Sequence, residues 1–188
     1  SMSYREEFAG QQTYNKLDKP IINSAYIKNL WNPTHNLSLD LGLRTSKSSF
    51  FNEFIHDPRI GLKYVPNPNL ALKFMWGKFT QFMFTINQDE ELLRLVDFWQ
   101  AVEKNKKPQA NDHYVTGIEY WISAGNTFSF ETYYKPYSTL YDISLFVSDP
   151  TDESSYFTSG TGKTWGLELL YQFNLDRING WIGYSYSQ

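Results

Sequence analysis

The chain has 188 residues, enough for one domain of ordinary size. Its formal net charge of −3 gives no electrostatic case for nucleic acid, and the absence of cysteine rules out disulfides and thiol chemistry. Aromatic residues reach 18 %, with 14 Tyr, 14 Phe and 6 Trp, so any fold must house many large rings. No stretch approaches the apolar length of a transmembrane helix. The mean hydropathy of −0.50 argues against a helical membrane protein but not against a transmembrane β-barrel, whose strands are only half apolar. The opening Ser1-Met2 resembles a protease scar, so a missing signal peptide says nothing about export.

Residues 1–23 are polar and irregular, with Gly10 and Pro20 as breakers, and read as a leading loop. A strand is expected over 24–31, followed by the turn Asn32-Pro33-Thr34-His35-Asn36. The next strand, 37–44, alternates cleanly. Leu37, Leu39, Leu41 and Leu43 take one face, and Ser38, Asp40, Gly42 and Arg44 the other. Residues 45–57 are polar with scattered aromatics and read as a loop. Alternation returns over 59–64, with Ile60, Leu62 and Tyr64 against Arg59, Gly61 and Lys63. The run Val65-Pro66-Asn67-Pro68-Asn69 reads as a tight turn, because two prolines cannot donate to a ladder. Pairing back over 70–78 sets Leu70, Leu72, Phe74 and Trp76 against Ala71, Lys73, Met75 and Gly77.

Residues 79–111 read as a long loop holding one short helix over 88–104. Leu92, Leu95, Val96, Trp99 and Val102 have helical spacing. Glu90 and Glu91 near the start and Lys104, Lys106 and Lys107 near the end suit the helix dipole. A hairpin follows over 113–135 around Ser123-Ala124-Gly125-Asn126. One face carries Tyr114, Ile118, Tyr120, Phe128, Phe130 and Tyr134, and the other Glu119, Glu131 and Lys135. Residues 138–163 read as another polar loop. Strands over 164–173 and 181–186 close the chain.

The result is an all-β protein, an antiparallel up-and-down meander of about eight strands in one domain over 1–188. Connections are short at one end and long at the other, over 45–57, 79–111 and 138–163, which is the layout of an outer-membrane barrel. The charged strand residues Asp40, Arg44, Arg59, Lys63, Lys73, Glu119, Glu131, Lys135 and Glu168 all fall opposite the apolar face. A soluble sheet with one buried face does the same. Tyr64, Trp76, Tyr114, Tyr134 and Trp165 at the ends of the apolar face favour lipid, as an aromatic girdle would. A soluble sandwich or barrel stays open at this point.

Six segments then resemble those of TonB-dependent outer-membrane receptors. Residues 36–44 (Asn-Leu-Ser-Leu-Asp-Leu-Gly-Leu-Arg) are similar to a "nlsl-x-x-GLR" strand. Residues 57–66, Asp-Pro-Arg through Tyr64 to Pro66, are similar to "PR-x-x-l-x-Y-x-P". Pro108 to Glu119 resembles "P-E-x-A-x-H-Y-x-x-G-x-E", with Gln109 where the family usually has Glu. Glu131-Thr132-Tyr133-Tyr134-Lys135 resembles "E-x-Y-Y-K", residues 160–168 resemble "G-x-g-x-x-x-G-l-E", and 181–186 the strand after it. The resemblance implies an internal slice of a barrel of about 22 strands. It lacks the plug domain, the TonB-box segment and a terminal aromatic strand. It further implies a bacterial outer-membrane location and import of a scarce nutrient, a ferric siderophore, cobalamin, haem or oligosaccharide, with the plug and TonB as partners. Eight strands leave two edges unpaired, so such a slice is expected to self-associate, close on itself or collapse onto its apolar face in water.

Site chemistry is sparse. His35, His56 and His113 have no metal-ligand spacing, and no cofactor is implied. No nucleophile elbow is present, so an enzyme is not expected. Gly160-Thr161-Gly162-Lys163-Thr164 lacks the spacing of a phosphate loop and precedes a strand. Asp149, Asp152 and Glu153 could hold Ca²⁺ only without any EF-hand pattern and read better as a solvated loop. Ligand contacts are expected from the long loops, through Trp99, Lys106, Lys107, Asp149 and Tyr156. The charged residues Arg44, Arg59, Lys63, Lys73, Glu119, Glu131, Lys135 and Glu168 are expected to face the lumen. The alternative from another class is a soluble or surface β-domain that binds ligands through its loops, with its apolar faces packed in one core. A third is a small complete barrel, with 24–31 paired to 181–187.

Overall fold

A computed structural model describes residues 6–8, 11–14, 19–86, 98–102, 104, 106–143, 157–175 and 177–188. Its centre is one antiparallel sheet. In chain order the eight strands are β3 (Ile22–Thr34), β4 (Leu37–Ser48), β5 (Phe51–Asn67), β6 (Leu70–Gln81), β9 (Gln109–Ser123), β10 (Asn126–Ile143), β11 (Phe157–Leu175) and β12 (Ile178–Ser187). Each pairs with its sequence neighbour, so the sheet is a plain meander from β3 to β12. Two small antiparallel pairs stand outside it: β1 (Glu6–Phe8) with β2 (Gln11–Tyr14), and β7 (Met83–Ile86) with β8 (Phe98–Ala101).

The strands run further than the alternation suggested. Residues 45–57, expected as a loop, continue β4 to Ser48 and resume as β5 at Phe51, with only Ser49 and Phe50 between. The turn expected over 65–69 shrinks to Pro68-Asn69. There Asn69 donates from its side chain to the Trp121 carbonyl, and Trp121 N donates to the Asn69 carbonyl, locking the turn to β9. The expected helix over 88–104 is not found: its later part is β8, laddered to β7, no described residue is helical, and residues 88–97 lie outside the described ones. Leu92, Leu95 and Val96 fall in that undescribed part. Strand β10 reaches Ile143 and β11 begins at Phe157, which narrows the connection expected over 138–163. The leading loop expected over 1–23 contains β1 and β2 and the start of β3.

The hairpin joining β9 to β10 turns at Ala124-Gly125, and Gly125 has φ of 81°. That left-handed conformation strains any residue with a Cβ, and a Cβ here would also sit 2.8 Å from Cβ of Asn174. Gly125→Ala is expected to lower stability by about 1 kcal/mol, read as a fall in denaturation midpoint without a change in slope.

Almost no apolar core exists in the sheet itself. Among the described residues, Ala71 is the one buried apolar side chain of the sheet, while Phe82, Phe84, Ala101 and Val102 lie in the β6–β9 connection. There Phe84 stacks on Tyr141 at 5.7 Å and meets Phe157 edge-on at 5.6 Å. Val102 N donates to the Phe82 carbonyl, and Tyr141 Oη donates to the Lys107 carbonyl. The apolar face of the sheet is uncovered across every strand, from Leu41 and Ile60 through Phe74 and Ile118 to Ile182 and Tyr184. Among the described residues, no packed core of the kind a soluble β-domain requires covers that face, and β3 and β12 do not pair, so the small closed barrel is not formed either.

Candidate functional site

Register fixes which side chains share a face, because partners opposite each other in a ladder point the same way. Arg44 faces Asp57, Gly42 faces Arg59, Lys63 faces Lys73, Lys73 faces Gly117, and Gly117 faces Glu131. Glu131 in turn faces Glu168, and Lys135 faces Thr164. Arg44, Arg59, Lys63, Lys73, Glu119, Glu131, Lys135 and Glu168 thus lie together on the polar face. Cations and carboxylates are mixed across that face: Asp40 and Arg44 on β4, Asp57, Arg59 and Lys63 on β5, Lys73 on β6, Glu119 on β9, Glu131 and Lys135 on β10, and Glu168 on β11. Among the described residues, Lys73 and Glu119 form an ion pair between β6 and β9, and Lys28 and Asp40 pair at 2.6 Å near the β3 edge. Lys63 instead lies over the Trp121 ring and Lys135 over the Tyr133 ring. Because the Lys73 side chain is 40 % exposed, a double-mutant cycle with Lys73→Met and Glu119→Gln is expected to return a coupling of only about 0.2–1 kcal/mol.

Towards the long-loop end the polar face becomes a built cluster. The ladder between β5 and β6 stops at Arg59 and Gly77, and above that point Thr80 Oγ1 donates to Asp57 Oδ1 at 2.7 Å. Asp57 is 1 % exposed and its second oxygen has no partner. Next to it, Arg44 donates to Ser24 Oγ, which is also bonded to Ser46 Oγ at 2.8 Å. The Arg59 guanidinium lies 4.5 Å from the Phe79 centroid, Phe79 packs at 4.3 Å on His113, and His113 Nε2 is 2.9 Å from Asn111 Nδ2. An open cavity of about 460 Å³ follows this cluster, walled by Arg44, Phe79, Thr80, Gln81, Asn111 and Tyr137 among others. Its lining sets one cation, carboxamides and the Tyr137 hydroxyl among the apolar side chains of Ile22, Phe82, Met83 and Leu140.

The expected loop contacts are only partly brought near this cavity. Trp99 lies in β8, Lys106 lines a minor cleft beside Phe84 and Tyr141, and Lys107 offers its carbonyl to Tyr141. Asp149 and Tyr156 lie outside the described residues, as do Asp152 and Glu153. Sequence reading singled out Arg44 but missed Phe79, Thr80, Gln81, Asn111 and Tyr137. The signal was the same alternation, carried past Gly77 as Phe79-Gln81 and before Val115 as Asn111-His113. No cluster among the described residues could hold a metal ion.

The family described as TonB dependent receptor-like, beta-barrel matches residues 3–188. The chain belongs to that family. This TonB-dependent receptor barrel is similar in fold to the siderophore receptor PirA from Pseudomonas aeruginosa, at 13 % identity and a TM-score of 0.70, over 90 % of this chain and 34 % of that one. It is also similar to the siderophore receptor PirA from Acinetobacter baumannii, at 15 % identity and a TM-score of 0.67, over 89 % of this chain and 27 % of that one. This chain thus spans about a third of the length of one solved chain and about a quarter of the other. No curated protein sequence matches it. The family is one of outer-membrane receptors and transporters rather than enzymes.

In an outer-membrane receptor barrel the uncovered apolar face has a solvent, the lipid. Trp76, Tyr114, Tyr134 and Trp165 form one registered row across β6, β9, β10 and β11, with Tyr114 and Tyr134 centroids 6.4 Å apart. Tyr120, Phe128 and Tyr171 form a second row nearer the short turns. The two rows are six residues apart on β9, roughly 20 Å along a strand, which the tilt of a barrel strand turns into about 15 Å of height, inside an apolar belt about 25 Å tall.

Proposed function

We propose that this chain is part of the wall of a receptor that imports a scarce nutrient across the outer membrane, with energy relayed by TonB through a plug domain seated against the polar face. The observation that carries the reading is the two-faced sheet: one face apolar and uncovered, the other polar and charged, with an open cavity at its long-loop end. On this reading the eight charged residues of the polar face line the lumen. Glu131 and Glu168 face each other, and like charges set opposite cost stability unless an occupant supplies countercharge. A plug domain is such an occupant. The cavity walled by Arg44, Phe79 and Asn111, together with Lys106 and Lys107 in the connection above, is where ligand enters. The similarity to two siderophore receptors favours a ferric siderophore as the cargo over haem, cobalamin or an oligosaccharide.

The test is uptake by cells. Disrupting the reading frame that encodes this segment should abolish import of radiolabelled iron from one ferric siderophore and leave cobalamin uptake intact. Unchanged siderophore uptake across a broad panel would sink the cargo assignment. Arg44→Ala should weaken binding of that siderophore without lowering the amount of receptor in the membrane.

A further inference from the structure

Asn111 stands between the cavity and a histidine. It is registered between Phe79 on β6 and Tyr137 on β10, and all three line the cavity. Its Nδ2 lies 2.9 Å from His113 Nε2, while its Oδ1 is not buried and has no partner among the described residues. A carboxamide nitrogen only donates, so His113 Nε2 accepts and the neutral ring carries its proton on Nδ1. The carboxamide thus turns its donor end to the histidine and leaves its acceptor end to the cavity.

A glycine makes room for this arrangement. His113 is opposite Gly77, where a Cβ would lie 3.1 Å from Phe79 Cε2 and 3.2 Å from Arg59 Cγ. With no side chain there, Arg59 and Phe79 lean across Gly77, and Phe79 packs against the His113 ring at 4.3 Å. The charged groups facing His113 are Arg59 from β5 and Lys135 from β10. Asp112 is its neighbour on β9, and β6 presents Gly77 and Phe79, neither of which titrates. Imidazole is the side chain whose ordinary proton uptake falls near neutral pH. Once Nε2 carries a proton it no longer accepts, and two donors would meet at 2.9 Å. Half a turn of the carboxamide relieves this. Oδ1 then accepts from Nε2–H, and the NH₂ group faces the cavity.

We infer that His113 is a positioning residue that sets the hydrogen-bonding polarity of the cavity wall through Asn111. With the imidazole neutral, the wall offers an acceptor and selects a ligand that brings an N–H or O–H donor. With the imidazole protonated, the wall offers a donor and rejects that ligand. Arg44 in the same wall donates at every pH. The ligand that fits in neutral solution therefore pairs an acceptor for Arg44 with a donor for Asn111, as a molecule built on secondary amides does. This rests on the reading that the cavity admits ligand.

The test folds the chain, with isotope-labelled His and Asn side chains, in neutral maltoside micelles and titrates it by NMR from pH about 8 to about 4.5. In neutral solution the His113 ring should be protonated on Nδ1 and show a nuclear Overhauser contact to the Asn111 NH₂ group. That contact should vanish as the ring gains its charge. A contact that survives ring protonation overturns the inference, and so does an Nε2–H tautomer in neutral solution. Two probes then read the selection: N-methylacetamide, which has an N–H, and N,N-dimethylacetamide, which lacks one. In neutral solution the first should shift the Asn111 and Tyr137 signals at about a fivefold lower concentration than the second. In acid the preference should disappear. His113→Gln places an amide oxygen where Nε2 accepts, so it should keep the preference at both ends of the titration, whereas His113→Leu should weaken it at both. Equal behaviour of the two variants overturns the positioning role. If neither variant folds, the native chain decides, and a preference that does not change with pH overturns the inference. Indifference of the cavity signals to both amides overturns the ligand selection. If the chain does not fold in micelles, the same titration on the intact receptor decides. A turn of Asn111 with the amide preference, in a receptor that imports no siderophore, upholds this inference and overturns the cargo assignment alone.

Discussion

Lysine in place of Phe74 is expected to cost the wall about 2–4 kcal/mol in a bilayer, while lysine in place of its neighbour Met75 costs close to nothing. The two residues are adjacent on β6 and almost equally exposed, at 44 % and 40 %. In water the two substitutions would be near equivalents. The difference arises only if the two faces meet different solvents. Phe74 lies between the two aromatic rows, where an ammonium must either lose hydration or drag water into the hydrocarbon. Met75 shares its face with Lys73 and Val115, where charge is already accommodated. Refolding into phosphatidylcholine vesicles under a urea titration measures both values. Equal shifts for the two variants would return the sheet to an ordinary soluble environment.

Valine in place of Gly166 is expected to be the most damaging glycine substitution, at about 3 kcal/mol or more, while Gly160→Val on the same strand stays within about 0.5 kcal/mol. A Cβ at Gly166 would lie 2.5 Å from the Tyr186 carbonyl oxygen and 2.6 Å from the Tyr133 ring. The backbone oxygen belongs to the β11–β12 ladder and cannot move without breaking it. The Tyr133 ring is itself held between Gly166 and the Lys135 ammonium, 4.4 Å from its centroid. At Gly160 nothing stands within 4 Å of the added atom. Comparing the two variants by the same vesicle titration separates overpacking from a general loss of strand flexibility. A mild effect at Gly166 would mean that Tyr133 swings clear and the ladder at Tyr186 absorbs the rest.

The legible part of this fold was the belt within the membrane. From Leu37 to Leu43, Leu70 to Trp76 and Tyr114 to Ile122, lipid on one side and polar surroundings on the other impose a period of two, and the alternation shows it. Beyond the aromatic row that constraint lapses. Thr45, Ser46, Lys47 and Ser48 meet polar surroundings on both faces, so the pattern vanishes although the ladder to β5 continues, and a strand reads as a loop. The helical spacing of Trp99 and Val102 misled for a related reason. Short paired segments such as β7 and β8 take their shape from each other and from Tyr141 and Phe157, contacts invisible in a local window. The cavity was half legible. Arg44 stood out by charge, whereas Asn111, Gln81 and Tyr137 are ordinary polar residues that the register alone brings together.

The cluster of Phe82, Phe84, Ala101 and Val102 has a consequence of its own. Among the described residues it is the one place where water, rather than lipid, drives apolar side chains together. The connection above the wall should therefore carry the positive heat capacity of unfolding typical of soluble proteins and soften in the cold and in urea. The laddered wall has little such heat capacity to lose, since its apolar face stays in hydrocarbon whether or not the cluster is intact. One polypeptide would then melt in two stages governed by two different solvents, with the mouth loosening while the wall stands.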